Sequence, residues 1–262
     1  MGSIKELREK FEKDNKAVWQ TALDAIPEPS LKNLKFAKLE DAKLAVVMIE
    51  FREHDWLKPV LFNACNIYGG REDVALVIVC GIKNNEFVKN IVDSWGDVRV
   101  VVLPYENIGI PQYNSLLTSV QFYELFDPCP SILLIQTDTV TRKAIPMEYL
   151  EYAYIGAPWY GPQINGPPRG VVGNGGYSLR DIKSMKRACR SHSYDPAKDT
   201  AEDLFFAKYA SSPVGKQIAP PDVAAKFSVE HIPSDDPCGM HQAWRFHASE
   251  TLIRWLECIK TN

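Results

Sequence analysis

An α/β fold with a mostly parallel, Rossmann-type sheet flanked by helices is what the sequence predicts, on three observations. Four apolar runs, Leu44–Ile49, Val74–Cys80, Val98–Leu103 and Ser131–Gln136, are continuous rather than alternating, the pattern of strands covered on both faces. Helix-like segments separate them at Trp56–Asn66, Asn85–Trp95 and Pro111–Leu125, and such alternation implies parallel strands joined by right-handed crossovers. At 262 residues and 45% hydrophobic content, the chain can bury one large α/β core.

In chain order, residues 4–25 come first. Ile4, Leu7, Phe11, Val18, Leu23 and Ile26 recur at roughly helical spacing among charges, and Pro27 and Pro29 end the pattern. Residues 1–30 are therefore expected to be an N-terminal helical extension, packed on the outside or against a partner, and a candidate contact for a second copy. The strands and helices of the sheet follow. In such sheets ligands bind beyond the carboxyl ends of the strands, which directs attention to Glu50–Glu53, Gly81–Lys83, Pro104–Asn107 and Gln136–Thr139. After residue 140 the texture changes to short strands and loops rich in Gly and Pro, including Gly161–Gly176, and then to helices near 181–190, 201–209 and 248–260. Residues 31–262 are expected to form one domain, with a nucleotide-binding half (31–140) and a smaller acceptor-side half (141–262).

Composition excludes several classes. A formal net charge of −3 carries none of the basic excess of a nucleic-acid binder. No apolar stretch approaches the ~20 residues of a spanning helix. The charged start Lys5-Glu6-Leu7-Arg8-Glu9-Lys10 is no signal peptide. A cytoplasmic location is the expectation. The six cysteines form no Cys-X-X-Cys pair and are read as free thiols.

Four constellations carry candidate chemistry. Gln136-Thr137-Asp138 follows the fourth strand, where a carboxylate can supply oxygen to a hard divalent cation or cap a turn. Gly173-Asn174-Gly175-Gly176-Tyr177-Ser178-Leu179-Arg180 allows positive φ and close backbone approach, then leads into a helical pattern. Glu202-Asp203 opens a helix, where acids suit the dipole, and a carboxylate facing a cleft can act as a general base. His241 lies among small turn-forming neighbours in Pro237-Cys238-Gly239-Met240-His241. The rings of Trp159 and Tyr160 either pack under the Pro-rich loop or stack on a ligand, and Arg180 or Lys83 are candidate phosphate contacts.

In this order the motifs resemble a glycosyltransferase of the GT-A fold. More closely, they resemble a family of glycosyltransferase-like proteins found in large DNA viruses, fungi and bacteria. The likeness is carried by Gln136-Thr137-Asp138, Tyr154–Trp159, Gly173–Arg180, Glu202–Phe206 and Phe227–Glu230, and covers roughly residues 42–247. The resemblance implies a nucleotide-diphosphate sugar donor, with UDP preferred and UDP-xylose favoured, a glycan acceptor, and Mn²⁺ or Mg²⁺. It implies that Asp138 matches the last acid of an Asp-X-Asp metal motif, Gln136 standing where the first acid usually sits, and that His241 completes the coordination. It implies Asp203 as base for an inverting transfer, with Glu202 orienting a sugar. Glu50, Phe51, Arg52, Gln136, Thr137, Asp138, Gly175 and Gly176 are the expected donor-binding residues. Two rival readings are a nucleotidyltransferase and a nucleotide- or glycan-binding module of the same fold without activity; Gln136 in place of an acid keeps the second open.

Overall fold

A computed structural model describes residues 3–159, 172–199 and 201–260. Tyr160, Thr200 and the 161–171 part of the Gly/Pro-rich stretch lie outside the described residues. The first helix, α1 (Ile4–Asp24), begins at a capping box: the Ser3 hydroxyl accepts from the Glu6 amide while the Glu6 carboxylate accepts from the Ser3 amide. Then come β1 (Leu44–Ile49), α2 (Leu57–Tyr68), β2 (Val74–Cys80), α3 (Asn85–Val92) and β3 (Val98–Val102). The segment expected as one helix over 111–125 is two, α4 (Ile110–Leu117) and α5 (Val120–Glu124). Ser119 divides them, because its hydroxyl accepts the Phe122 amide and so caps a new helix.

Next are β4 (Ser131–Ile135), β5 (Thr139–Thr141), β6 (Tyr154–Ile155), β7 (Ala157–Pro158), β8 (Val172–Gly173) and β9 (Tyr177–Asp181). The chain finishes with α6 (Ile182–Ser191), α7 (Pro196–Asp199), α8 (Glu202–Tyr209), α9 (Pro221–Phe227), β10 (Ser228–Val229), β11 (Gly239–His241) and α10 (Ser249–Leu256).

The main sheet runs β3-β2-β1-β4-β9-β6. Its first four strands are parallel, as the apolar runs predict; β9 is antiparallel to β4 and to β6. Both faces are covered. Leu44, Val46 and Met48 of β1 pack toward α1, α2 and α3, while Ala45, Val47 and Ile49 pack toward α5, α6 and α8. Each large aliphatic side chain so buried contributes about 2 kcal/mol.

The segment Tyr177-Ser178-Leu179-Arg180 leads into a helix, α6, as expected, but does so as a fully buried strand hydrogen-bonded to β4, so a central strand stands between the glycines and the helix. A smaller sheet, β10-β11-β5, matters most for the site. Its β11 pairs antiparallel with β5 and sets His241 opposite Thr139, one residue from Asp138. Among the described residues no helix is long and apolar enough to cross a membrane.

Candidate active site

The turn after β1 is built around one carboxylate. Glu50 Oε1 accepts from the Phe51 and Arg52 amides at 2.9 Å each and from Arg52 Nε at 2.8 Å, while Oε2 accepts from Arg52 Nη2 at 2.8 Å. Asn84 fastens the turn from below, donating to the Glu50 and Arg52 carbonyls. Glu50 is thus a structural brace whose acceptors are taken, and Phe51 is buried edge-on to Tyr105 at 6.0 Å.

This turn forms one wall of a cleft of about 330 Å³ at the carboxyl ends of β1 and β4. The other walls are the 107–110 loop, Tyr113, and Gln136, Thr137 and Asp138. Six of the expected donor-binding residues, Glu50 to Arg52 and Gln136 to Asp138, therefore line one cavity. Asn107 belongs to the Pro104–Asn107 strand end that the sequence marks, whereas Ile108–Ile110 and Tyr113 were not singled out, because nothing in their residue types distinguishes them from a loop and a helix face.

At the edge of this cleft, Asp138 Oδ1 and His241 Nε2 face each other at 3.5 Å. Both atoms are buried and neither makes a hydrogen bond among the described residues. The other oxygen of Asp138 accepts from Gln242 Nε2 at 2.6 Å, and Gln242, in a left-handed conformation (φ 46°), donates its backbone N–H to the Asp138 carbonyl at 3.1 Å. His241 Nδ1 lies 2.9 Å from Glu230 Oε1. An ionised carboxylate only accepts, so Nδ1 carries a proton and the ring is oriented with Nε2 toward Asp138.

Burial alone would push the Asp138 carboxyl up and the His241 imidazole down. The charge pairing outweighs it, holding Asp138 below the usual carboxylate range and raising His241 to about 10. Glu230 likewise sits far below its ordinary range despite burial, because His231 and His241 face it. Sequence reasoning quoted Glu230 in a motif without a role. The parallel pairing of β10 with β11 places it beside His241, a relation that residues 11 apart do not advertise.

The Gly173–Gly176 segment passes between this pair and the acids of α8. Asn174 takes the positive φ, 71°, and its Oδ1 accepts from the Gly176 and Tyr177 amides at 3.0 and 3.3 Å. The neighbouring glycines serve close approach. A Cβ on Gly175 would meet Glu202 Oε1 at 1.8 Å, and one on Gly176 would meet His241 Nε2 at 2.4 Å and Gln136 Oε1 at 2.8 Å. Gln136 donates its amide nitrogen to the Tyr113 hydroxyl at 2.7 Å, leaving Oε1 on the Gly176 side.

Across the glycines, Asp203 Oδ2 accepts from the Gly175 amide at 3.2 Å and Oδ1 from the Leu204 amide at 2.8 Å. Burial, then the charges of Glu202 and Glu230, raise Asp203 to about 7. Glu202 Oε1 pairs with the fully buried Arg180 at 3.0 Å, and its Oε2 has no hydrogen-bond partner among the described residues.

Arg180 is not a phosphate contact. Its guanidinium is spent on Glu202, Ser178, Tyr123 and the Gly175 carbonyl, under the rings of Tyr154 and Phe206. Lys83 pairs with Glu106 on the surface. Trp159 is not an open stacking ring either. It is buried on Gly173 and donates Nε1 to Glu230 Oε2 at 2.9 Å. Cys65, Cys80, Cys129, Cys189 and Cys238 are free thiols.

Among the described residues, no three or more His, Cys, Asp or Glu form a metal-holding group. The donors that converge are one carboxylate oxygen, one imidazole nitrogen and a nearby amide oxygen. No curated protein matches the sequence. A family model, described as protein of unknown function (DUF5672), matches residues 97–241, from the turn before β3 to His241, and so includes Asp138, Gly175, Gly176, Asp203, Glu230 and His241. The chain belongs to that family.

Proposed function

We propose that the protein is a glycosyltransferase of GT-A-like fold that moves a sugar from a nucleotide diphosphate, UDP by preference, to a hydroxyl of a glycan. The observation that carries this reading is the meeting, across Gly175 and Gly176, of two buried ligand atoms that face only each other and a carboxyl raised to about 7. A cleft large enough for a nucleotide opens beside them.

Asp138 Oδ1 and His241 Nε2 fit a divalent cation. Each is buried without a hydrogen bond, and Glu230 orients the imidazole in the way that carboxylates orient metal-bound histidines. The Gln136 Oε1 amide oxygen is a neutral third donor, suited to a hard ion such as Mn²⁺ or Mg²⁺. Bound there, the ion neutralises charge that builds on the departing diphosphate.

The chain's own residues do the rest. The Glu50–Arg52 turn, the 107–110 loop and Tyr113 enclose the nucleotide. Asp203 accepts the proton of the acceptor hydroxyl as that oxygen bonds the anomeric carbon from the face opposite the diphosphate. The bond from that carbon to the diphosphate oxygen breaks, and the configuration inverts. Glu202 Oε2, buried and unpaired, offers an acceptor to a sugar hydroxyl. A carboxylate shifted this far by burial and like charges is costly to keep, and that cost favours a working base over an inert module.

A donor screen that follows nucleotide diphosphate release tests the reading. Wild type should turn over at least one UDP-sugar, UDP-xylose among the first to try, and Asp203→Asn should lose about a hundredfold or more in kcat. Equal release by the variant would remove Asp203 from the mechanism. Turnover of a nucleoside triphosphate instead of any sugar donor would replace the transferase with a nucleotidyltransferase.

A further inference from the structure

We propose that α1 belongs to the scaffold of the site, Asn15 and Glu12 being positioning residues that set His241 and Asp138 through two separate polar relays. This rests on the reading of those two residues as cation ligands.

The first relay starts at Asn15, the one polar residue among the four that α1 buries. Its Nδ2 donates to the His247 carbonyl at 2.9 Å, and its Oδ1 accepts from the Ser249 hydroxyl at 2.6 Å. The amide thus grips both sides of the turn that begins α10. His247 Nε2 in turn donates to the Glu230 carbonyl at 2.7 Å. A carbonyl cannot donate, so this bond fixes the ring's tautomer as well as its place. Glu230 then holds His241 Nδ1 at 2.9 Å, which aims Nε2.

The second relay starts one helical turn earlier on the same face. Glu12 Oε2 pairs with Arg245 Nε at 3.8 Å, Arg245 Nη1 donates to Gln242 Oε1 at 2.9 Å, and Gln242 Nε2 donates to Asp138 Oδ2 at 2.6 Å. One helix therefore reaches both ligands, by different residues. Between the relays, Trp19 packs on Trp244 and Trp244 on Trp56, with ring centroids 4.8 and 5.4 Å apart.

Helix docking alone does not account for the choice of residues. An apolar side chain at position 15 would bury as well and would need no partners, whereas a buried amide destabilises unless bonded. Here both of its polar atoms are bonded, and both bonds go to the segment that orients the ligand pair. The family-matched segment ends at His241, so the relays are assembled from chain on both sides of it.

The test uses the full chain with ¹⁵N-labelled histidine, in three variants: Asn15→Leu, Glu12→Gln and, as a control for docking alone, Leu23→Ala, which empties a buried site on α1 away from both relays. Asn15→Leu should move the imidazole ¹⁵N resonances of His241 in the metal-free protein. Asn15→Leu and Glu12→Gln should each weaken Mn²⁺ binding about tenfold, the effect typical of partners behind a ligand. Leu23→Ala should lower the melting temperature while leaving resonances and Mn²⁺ affinity as in wild type.

Unchanged Mn²⁺ affinity in both relay variants overturns the proposal, as does an equal loss in Leu23→Ala. Should Asn15→Leu fail to fold, Glu12→Gln, whose side chain is part-exposed, decides alone by its Mn²⁺ affinity. A wild type that binds no Mn²⁺, but whose His241 resonances respond to Asn15→Leu, sinks the cation reading and leaves the relay standing. His241 resonances untouched by Asn15→Leu sink the relay whatever the metal does.

Discussion

Asp203 shows how one carboxyl is prepared by its surroundings. Burial and the neighbouring charges of Glu202 and Glu230 make ionisation costly, so the group stays protonated to about pH 7. A base must be ionised to work, so kcat/KM for sugar transfer should rise with pH and level off above about 7. A profile flat from pH 5 to 9 would contradict the assignment. The same shift bears on stability with the opposite sense. The native state holds this proton more tightly than the unfolded chain, so its contribution is complete below the ordinary carboxylate range and is lost as pH rises through about 7. Asp203→Asn, neutral at every pH, should therefore melt above wild type at pH 8, by about 1 kcal/mol or more, and the gap should close toward pH 4. A melting scan at the two pH values reads this directly. Residue types alone show Asp203 as half of an acidic pair at a helix start; only the family likeness separates it, as base, from Glu202. Its distinction from Glu202 lies in partners from elsewhere in the chain, Gly175 for one and Arg180 for the other.

At the scale of elements, β9 and α8 are joined by the buried ion pair of Arg180 and Glu202. Neither charge meets water, and each is tolerated because the other is present. Arg180→Met should cost about 3–5 kcal/mol, since it strands the Glu202 carboxylate, and the double variant Arg180→Met/Glu202→Gln should recover part of that loss. Denaturant unfolding of the three variants forms the cycle. Additive effects would mean that the pair is not coupled. The sequence reads β9 only as the lead into the helix near 181–190, which α6 bears out; this buried arginine hides that the lead is itself a central strand. Arg180 interrupts the apolar pattern by which the other central strands are recognised, and its partner lies 22 residues away. The division of α4 from α5 at Thr118-Ser119 has a local cause, a capping hydroxyl, yet serine in an amphipathic run is equally at home on a solvent-facing helix surface. By contrast, β1, β2 and β4 were legible throughout, because burial on both faces leaves no room for alternation.

Across the whole molecule, the placement of the cleft followed from topology. Parallel strands bring the turns after β1 and β4 to one end of the sheet, and Glu50 to Arg52 and Gln136 to Asp138 meet there as the strand order requires. What topology of the parallel core does not provide is the second half of the site. His241 reaches Asp138 through the short β5–β11 pairing, Glu230 reaches His241 through β10, and α1 packs on the Ala243–Arg245 turn and α10 that follow them. Strands of two and three residues leave little periodic signal, so the Asp138–His241 pairing was accessible only through the family likeness, which included Glu230 without a role, and Asn15 and Glu12 not at all. The central claim is that Asp138 and His241 hold a divalent cation beside a nucleotide cleft. Calorimetric titration of UDP into wild type and Asp138→Asn, each with and without Mn²⁺, addresses it most directly. Wild type should bind UDP at least about tenfold more tightly with Mn²⁺ than without, and Asp138→Asn should lose most of that gain while retaining metal-free binding. UDP affinity that ignores Mn²⁺ in wild type, or a Mn²⁺ effect that survives Asp138→Asn intact, would contradict it.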